Sequence, residues 1–463
     1  MATTKTVDLL TIGAGGGATA AAFRLARAGR EVVMVDTKGV MSGNCLAEGC
    51  VPSKAVREMA VHLKRHQRFQ QYGIHGPATA DYGGIAAHKD HVQNARYAQH
   101  AKKLADAPRV ALLKGRARII DPHTVVVETD QGEDRYVARN IIVASGTEVV
   151  VPRIPGSEHC ITSDDIYKLN SSLTTLPQSM VVVGGGYVGL ETASFFAAFG
   201  TRITLLEGSQ RLLPSMDKGL VGELAPLLDP AMKILLQVEM LAVEKSENTL
   251  RVRFRHEGMD KIIEAQQVLM AVGRHPVLPE GLNALGVEIN PHGYLVAGES
   301  MQTNIPHIYS CGDVNGRVML FHAAARQSLV AAHNILAGDV PLDYFDGTSV
   351  PTTVFTLPGA ANMGLTPAAA AQRGIRILTG GYKFSDDSRA EIFGETEGGI
   401  NLFFDPDTLR LLGGWVVGID AGNLIGEIGM AVAGRLTGRD LARFADQHPM
   451  SSEGISRAAR SLF

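Results

Sequence analysis

From Val7 to Asp36 the chain reads VDLLTIGAGGGATAAAFRLARAGREVVMVD. A β-branched run, a glycine-rich turn, an alanine-rich stretch and a second β-branched run follow one another, the order of a single βαβ unit. The same order returns from Ser179 to Glu207 as SMVVVGGGYVGLETASFFAAFGTRITLLE, so the chain carries an internal repeat. Between the copies, HTVVVETDQGEDRYVARNIIVASGT alternates apolar and polar positions around Gln131-Gly132, which predicts a hairpin. Pro152 and Pro155 then mark a crossing into the next domain. A second hairpin-like pattern runs from Leu250 to Met270 and leads into VGRHP at 272–276, a second crossing. Beyond about residue 346 the pattern changes to strands such as TTVFT and INLFF with helices running to Phe463. The predicted division is α/β: one domain from 1–149 and 274–345, a second from 150–273 and a third from 346–463.

Composition narrows the picture. At roughly 150 residues per domain, 463 residues suit three domains. The 44 Lys and Arg against 47 Asp and Glu give a net charge of −3, which argues against a generally basic nucleic-acid binder. Four cysteines are too few for a secreted disulfide framework on a chain of this length and point to a reducing compartment. The start Met1–Leu10 lacks a basic segment followed by an apolar one. The uncharged stretch Leu9–Phe23 is short of the ~20 apolar residues a bilayer span needs. These features predict a soluble cytoplasmic protein with no membrane or nucleic-acid partner.

The glycine turns carry the first candidate chemistry. Gly13 and Gly15 allow positive φ and close backbone approach, so a pyrophosphate can sit on N–H groups at the helix N-terminus, while Ala18 replaces a third glycine where helix and strand pack closely. In the second turn Gly184, Gly186 and Gly189 are all present. Asp36 and Glu207 close their units, each 23 residues after the first glycine, as ribose-reading acids. Two dinucleotides are therefore expected. A carboxylate at 207 accepts from a 2'-hydroxyl and repels a 2'-phosphate, favouring NAD over NADP; Arg211 nearby is the one feature that pulls the other way.

Residues 43–54 read GNCLAEGCVPSK. In a regular helix Cys45 and Cys50 lie beyond the ~7 Å Cα limit for a disulfide, so bridging needs a distortion that Gly49 can supply. Two free thiols, or half of a metal site with no second cysteine pair to complete it, are the other readings of the pair. At this point the sequence resembles the pyridine nucleotide-disulfide oxidoreductases of the glutathione reductase and dihydrolipoamide dehydrogenase type, over essentially its whole length and in order. The motifs are GAGGGA at 13–18, GNCLAEGCVPSK at 43–54, ASGT at 144–147, GGGYVGLE at 184–191, VGRHP at 272–276, CGDV at 311–314 and HPMSSE at 448–453.

The resemblance implies two Rossmann-like dinucleotide-binding domains and a C-terminal α+β dimerisation domain. It places FAD on the first unit, with Asp36 at the adenosine ribose, Asp313 at the ribityl chain, Ala117 near the adenine and the backbone around Phe321 near the flavin ring. Asn44, Ser145 and Gly146 belong to the same cofactor-contacting set. NAD falls to the second unit, with Tyr187 covering the nicotinamide pocket and Gly273 among its contacts. Lys54 pairs with Glu191 beside the flavin. Cys50 is implied as the thiolate touching the flavin and Cys45 as the interchange thiol. His448, oriented by Glu453, is implied as the base, since imidazole titrates near neutrality and can take and return a thiol proton. No role is expected for Cys160 or Cys311.

Departures from the family pattern bear on the substrate. Gly16 and Phe23 stand where glutathione-binding relatives commonly carry serine and arginine, and the chain lacks the C-terminal cysteine pair of mercuric reductases. Met450 replaces the usual threonine after His-Pro and cannot accept helix N–H bonds, unless Ser451 caps one residue later. Gln447 replaces a common alanine. The expected activity is that of a homodimeric, FAD-dependent dihydrolipoamide dehydrogenase acting on a lipoyl carrier protein. Reduction of another small or protein disulfide by NADH, or a redox-sensing or structural flavoprotein subunit, are the alternatives. A net +6 between residues 52 and 103 suggests a docking face for an acidic carrier.

Overall fold

The computed structural model describes residues 4–463. The first repeat forms β1 (Thr4–Ile12), α1 (Gly16–Arg27) and β2 (Val32–Asp36), with the strands parallel and Leu9 opposite Val32. Three helices, α2 (Gly43–Ala47), α3 (Cys50–His66) and α4 (Tyr82–Ala105), lead to β3 (Val110–Lys114) on the outer side of β2. The strands β4 (Arg116–Ile119), β5 (Thr124–Thr129) and β6 (Gly132–Val143) then bring the chain back, and β6 pairs parallel with β1. A strand from far along the chain, Ile308–Ser310, completes this sheet beside β6. The central strand is covered on both faces and so reads as an unbroken apolar run. Leu9 packs with Ala21, Leu25 and Val330 on one side, and Leu10 with Val33, Tyr136 and Leu295 on the other.

The second repeat builds a sheet of five strands around Ser179–Val183, with the helix Tyr187–Ala198 following its glycine turn. The pattern from Leu250 to Met270 resolves into a hairpin, Leu250–His256 with Met259–Ala265, and one further strand. That strand, Gln267–Met270, leaves the hairpin and pairs parallel with Ser179–Val183. The two crossings meet each other: β7 (Thr147–Val149) pairs antiparallel with Arg274–Pro276. Beyond residue 350 a five-stranded antiparallel sheet carries the helices Ala421–Ala433 and Glu453–Arg460 on a core that includes Ile400, Val416, Ile428 and Ala458. Among the described residues no helix is long and apolar enough to cross a membrane.

The basic run from 52 to 103 does not form the free docking face expected of it. Arg57 and Lys64 donate to the carbonyls of Phe355 and Leu357, Arg65 pairs with Glu395 at 2.6 Å, and Arg68 donates to Gly394. These four side chains bind α3 and the residues that follow it to the C-terminal domain. Lys54 pairs with Glu191, and Lys89 is only 1% exposed. Lys102 and Lys103 sit in the last turn of α4, where the helix dipole favours cations. Counting charges overstated the free positive surface because most of these charges are held inside the chain.

Candidate active site

The two glycine turns are close copies. Gly13 has φ +108° and Gly184 φ +109°, and a Cβ at either would lie 2.3 Å from a carbonyl oxygen, of Ala144 and Ala271 respectively. Only glycine fits both the torsion and the space. Asp36 accepts the N–H of Ala14 at 3.0 Å and that of Lys38 at 2.8 Å, and Glu207 accepts the matching pair from Gly185 and Ser209. Each acid is thus tethered to its own turn. Neither helix has an acidic residue in its first turn, so the N–H groups there face an anion without competition. The third position differs between the copies. A Cβ at Gly189 would meet the Gly184 carbonyl at 2.0 Å, whereas in the first unit's helix the crowded position is Gly17, 2.5 Å from the Cys311 carbonyl. Ala18 is accommodated and fully buried. Gly15 lies against Gly43, and Gly186 has open space around it.

Glu207 is buried, which by itself raises its pKa. The hydroxyl and N–H of Ser209, with the N–H groups of Gly185 and Gly208, more than offset this and hold the carboxyl below its ordinary value. Arg211 is turned to the carbonyls of Leu213 and Pro214 at 3.1 and 2.6 Å. Its guanidinium is thereby committed to the chain rather than to a 2'-phosphate.

The helix that carries the cysteine motif is broken. α2 ends at Ala47 and α3 begins at Cys50, with Gly49 between them at φ −126°, ψ −112°. A Cβ at Gly49 would lie 2.8 Å from the Asn44 carbonyl, so the sharp connection requires glycine. The two sulfurs are not bonded to each other. The hydrogen bond from Cys45 lowers the Cys50 pKa to about 7; burial opposes the shift, and Lys54 reinforces it. Cys45 moves up, because it donates to Cys50 and is itself half-buried. The reduced pair therefore keeps one proton on Cys45 and places charge on Cys50, at the N-terminus of α3 where an anion is favoured.

Lys54 Nζ lies 2.7 Å from Glu191 Oε2 and 4.4 Å from the centre of the Phe355 ring. The other Glu191 oxygen accepts the Phe355 N–H at 2.9 Å. Phe355 offered no sequence signal beyond its place in TTVFT. Tyr187 precedes Glu191 by one helical turn and shares its face. Burial raises the pKa of the Tyr187 phenol.

Thr147 is a junction that sequence reasoning missed, although it lies in a quoted motif. Its carbonyl accepts from Asn44 Nδ2 at 2.6 Å and from Arg274 at 3.0 Å; its hydroxyl accepts from Arg274 Nε at 3.0 Å and donates to Asp313 at 3.4 Å. Burial raises the Asp313 pKa while Arg274 and Thr147 pull it down. Ser145 donates to the Val277 carbonyl, Gly146 has φ +72°, and Gly273 accepts the N–H of Val150 at 3.0 Å. Ala117 is buried in β4 among Val35, Val127 and Tyr136, which leaves its backbone for any ligand. Phe321 opens the helix Phe321–Ala337 with its ring against Gly16, where a Cβ would come within 3.0 Å.

His448 Nδ1 lies 2.9 Å from Glu453 Oε1. Glu453 also accepts from the Met450 N–H and from Arg457, each at 3.1 Å. Burial pushes its carboxyl up, yet these three donors hold it below the usual range. Arg457 went unnoticed in the sequence, although the spacing of four from Glu453 was a signal. The cap considered at Ser451 does not form: its hydroxyl donates to Asp420 at 3.0 Å, and helix Glu453–Arg460 has no side-chain cap. Among the described residues no hydrogen bond or ion pair joins His448 to the cysteines. The machinery is divided between a group around Cys45, Cys50, Lys54 and Glu191 and a separate His448–Glu453–Arg457 cluster.

Comparison with known proteins places this geometry. A family model for pyridine nucleotide-disulphide oxidoreductases matches residues 7–328, and that of their dimerisation domain matches residues 350–459. Dihydrolipoyl dehydrogenase from Bacillus subtilis is 30% identical over 457 residues, covering 98% of this chain and 95% of that protein. The Haemophilus influenzae enzyme is 31% identical over 459 residues, covering 98% and 94%. Among solved structures, the Cu(II) complex of HOCl-induced flavoprotein disulfide reductase RclA from Escherichia coli matches with a TM-score of 0.87 at 25% identity, over 99% of this chain and all of that one.

Proposed function

Because the chain belongs to the pyridine nucleotide-disulphide oxidoreductases, flavoproteins that use FAD and NAD(H), we propose that it oxidises a protein-bound dihydrolipoyl dithiol and reduces NAD through Cys45 and Cys50. The observation that carries this reading is the broken helix: it sets two thiols on consecutive helices, acidifies Cys50 and stands them beside the Lys54–Glu191 pair. The residues present suit FAD, since Gly13 and Gly17 pack directly on the Ala144 and Cys311 carbonyls and so fix a tight turn at the helix N-terminus, where no acidic side chain competes with a pyrophosphate for the N–H groups. Gly13, Gly15, Asp36, Asn44, Ser145, Gly146 and Asp313 would hold it, and Gly184, Gly186, Gly189, Glu207 and Gly273 would hold NAD. We assign residues 1–149 with 274–345 to FAD, 150–273 to NAD and 346–463 to a twofold interface.

In the proposed reaction Glu453 fixes the tautomer that leaves His448 Nε2 free to take a proton from the substrate dithiol. The substrate thiolate attacks Cys45 Sγ of the Cys45–Cys50 disulfide, and Cys50 leaves as a thiolate stabilised by Lys54 and the helix terminus. The second substrate thiol gives its proton to the departing Cys45 as its sulfur displaces it, a cyclic disulfide departs, and the first proton remains on His448. Bound FAD supplies the two-electron acceptor between Cys50 and NAD that restores the Cys45–Cys50 disulfide. A second reading, reduction of a different disulfide by NADH, is favoured by Met450, whose N–H binds the same Glu453 that orients His448, and by the likeness to a flavoprotein disulfide reductase.

A matrix of kcat/KM values separates the two readings. Dihydrolipoyl carrier protein and dihydrolipoamide should exceed glutathione disulfide and model disulfides, and NAD should exceed NADP by at least about tenfold, roughly 1.4 kcal/mol. Glu207→Ala should narrow the cofactor gap. Equal use of NAD and NADP, or turnover confined to other disulfides, contradicts the corresponding part of the proposal.

A further inference from the structure

Breaking a helix between Cys45 and Cys50 strands the last carbonyls of α2, which a continuing helix would pair with N–H groups four residues on. Here the carbonyls of Leu46 and Ala47 both accept from one group, Gln93 Nε2, at 3.0 and 2.9 Å. Gln93 lies in α4 and is fully buried. Its amide oxygen accepts from Lys89 Nζ at 3.2 Å, which fixes which way the amide faces. Lys89, also buried, is held in turn by the Lys168 carbonyl at 2.6 Å and by Asp90. A buried lysine and a buried glutamine thus form a chain of donors that ends on the break between the cysteines, and the reaction described above uses neither.

We propose that Gln93, oriented by Lys89, is a positioning residue for the Cys45–Cys50 couple: it holds the helix break open and so keeps the two sulfurs within bridging reach. The inference rests on the reading that these cysteines form the redox couple. Its logic is steric. Without Gln93, the natural donors to the Leu46 and Ala47 carbonyls are the N–H groups of Cys50 and Val51, each four residues on. Making those bonds joins α2 to α3 as one helix and moves residues 45 and 50 to a separation beyond disulfide reach. The disulfide is then strained relative to the dithiol and becomes easier to reduce.

The test equilibrates the holoenzyme with mixtures of reduced and oxidised dithiothreitol, in which reduced dithiothreitol and the protein disulfide exchange for oxidised dithiothreitol and the protein dithiol. After acid quenching and alkylation, mass analysis of the peptide that holds both cysteines gives the equilibrium constant. Repeating the equilibration at two pH values tells strain from thiolate formation, because only a change in Cys50 ionisation makes the shift between variants depend on pH. Gln93→Leu should shift the constant at least about tenfold toward the dithiol, 29.6 mV for two electrons. Gln93→Glu, which keeps the shape but loses the donor, should do the same. Lys89→Met should shift it less in the same direction, and Lys89→Arg should stay near wild type. Constants within twofold of wild type for both Gln93 variants overturn the proposal. If those variants do not fold with FAD, an unshifted Lys89→Met overturns it instead. A wild-type protein that forms no reversible Cys45–Cys50 disulfide overturns the redox reading itself, separately from any role of Gln93.

Discussion

Replacing His448 with glutamine is expected to lower kcat/KM for dihydrolipoamide by about 10²- to 10⁴-fold, the range that a placed general base contributes. Glutamine keeps a polar side chain of similar reach but cannot take up the dithiol proton. KM for NAD should hardly move, because the His448–Glu453–Arg457 cluster shares no hydrogen bond with either glycine turn. Glu453→Gln should cost less, since the imidazole remains while its tautomer and its countercharge are lost. Arg457 competes for the same carboxylate, so the Glu453 effect divides between two partners. Stopped-flow reduction by the dithiol measures the affected step directly. A loss under tenfold in His448→Gln contradicts the assignment of the base.

Mixing two inactive proteins, Cys45→Ser and His448→Ala, should return about a quarter of wild-type activity. The reason is the division of the site: among the described residues of one chain no hydrogen bond or ion pair joins His448 to the cysteines, and the C-terminal domain matches the family's dimerisation domain. If that twofold axis delivers His448 to the partner's cysteines, each mixed dimer has one site with both defects and one with neither. Random recombination makes half of the dimers mixed and half of their sites intact. Verified mixed dimers without recovered activity would show that base and nucleophile come from the same chain.

The parts of the site that sequence made legible are those set by local geometry. Gly13 and Gly184 are fixed by the turn of a βαβ unit, and the acids at equal spacing are bound by the N–H groups of that same turn. Gly49 is legible for the same reason, because a short segment must break a helix. What could not be read joins residues far apart. Thr147 meets Arg274 across 127 positions, Phe355 meets Glu191 across 164, and Gln93 reaches Leu46 across 47. No periodicity in the chain encodes these meetings. Charge counting failed at Lys89 and Arg57 because backbone carbonyls and a buried amide, which carry no net charge and leave no mark in the count, hold these side chains against the chain beside Asp90 and Glu58. Ser451 was a plausible cap by spacing alone, but Asp420, 31 residues away, takes its hydroxyl.

The most direct test of the account is to follow the four cysteines through reduction. The oxidised holoenzyme is treated without oxygen with a dithiol or with NADH, quenched in acid, alkylated and mapped by mass. Cys45 and Cys50 should be unlabelled before reduction and both labelled after it. Cys160 and the buried Cys311 should show the same labelling in both states. Labelling of Cys45 and Cys50 that does not change on reduction would contradict the claim that electrons pass through this pair.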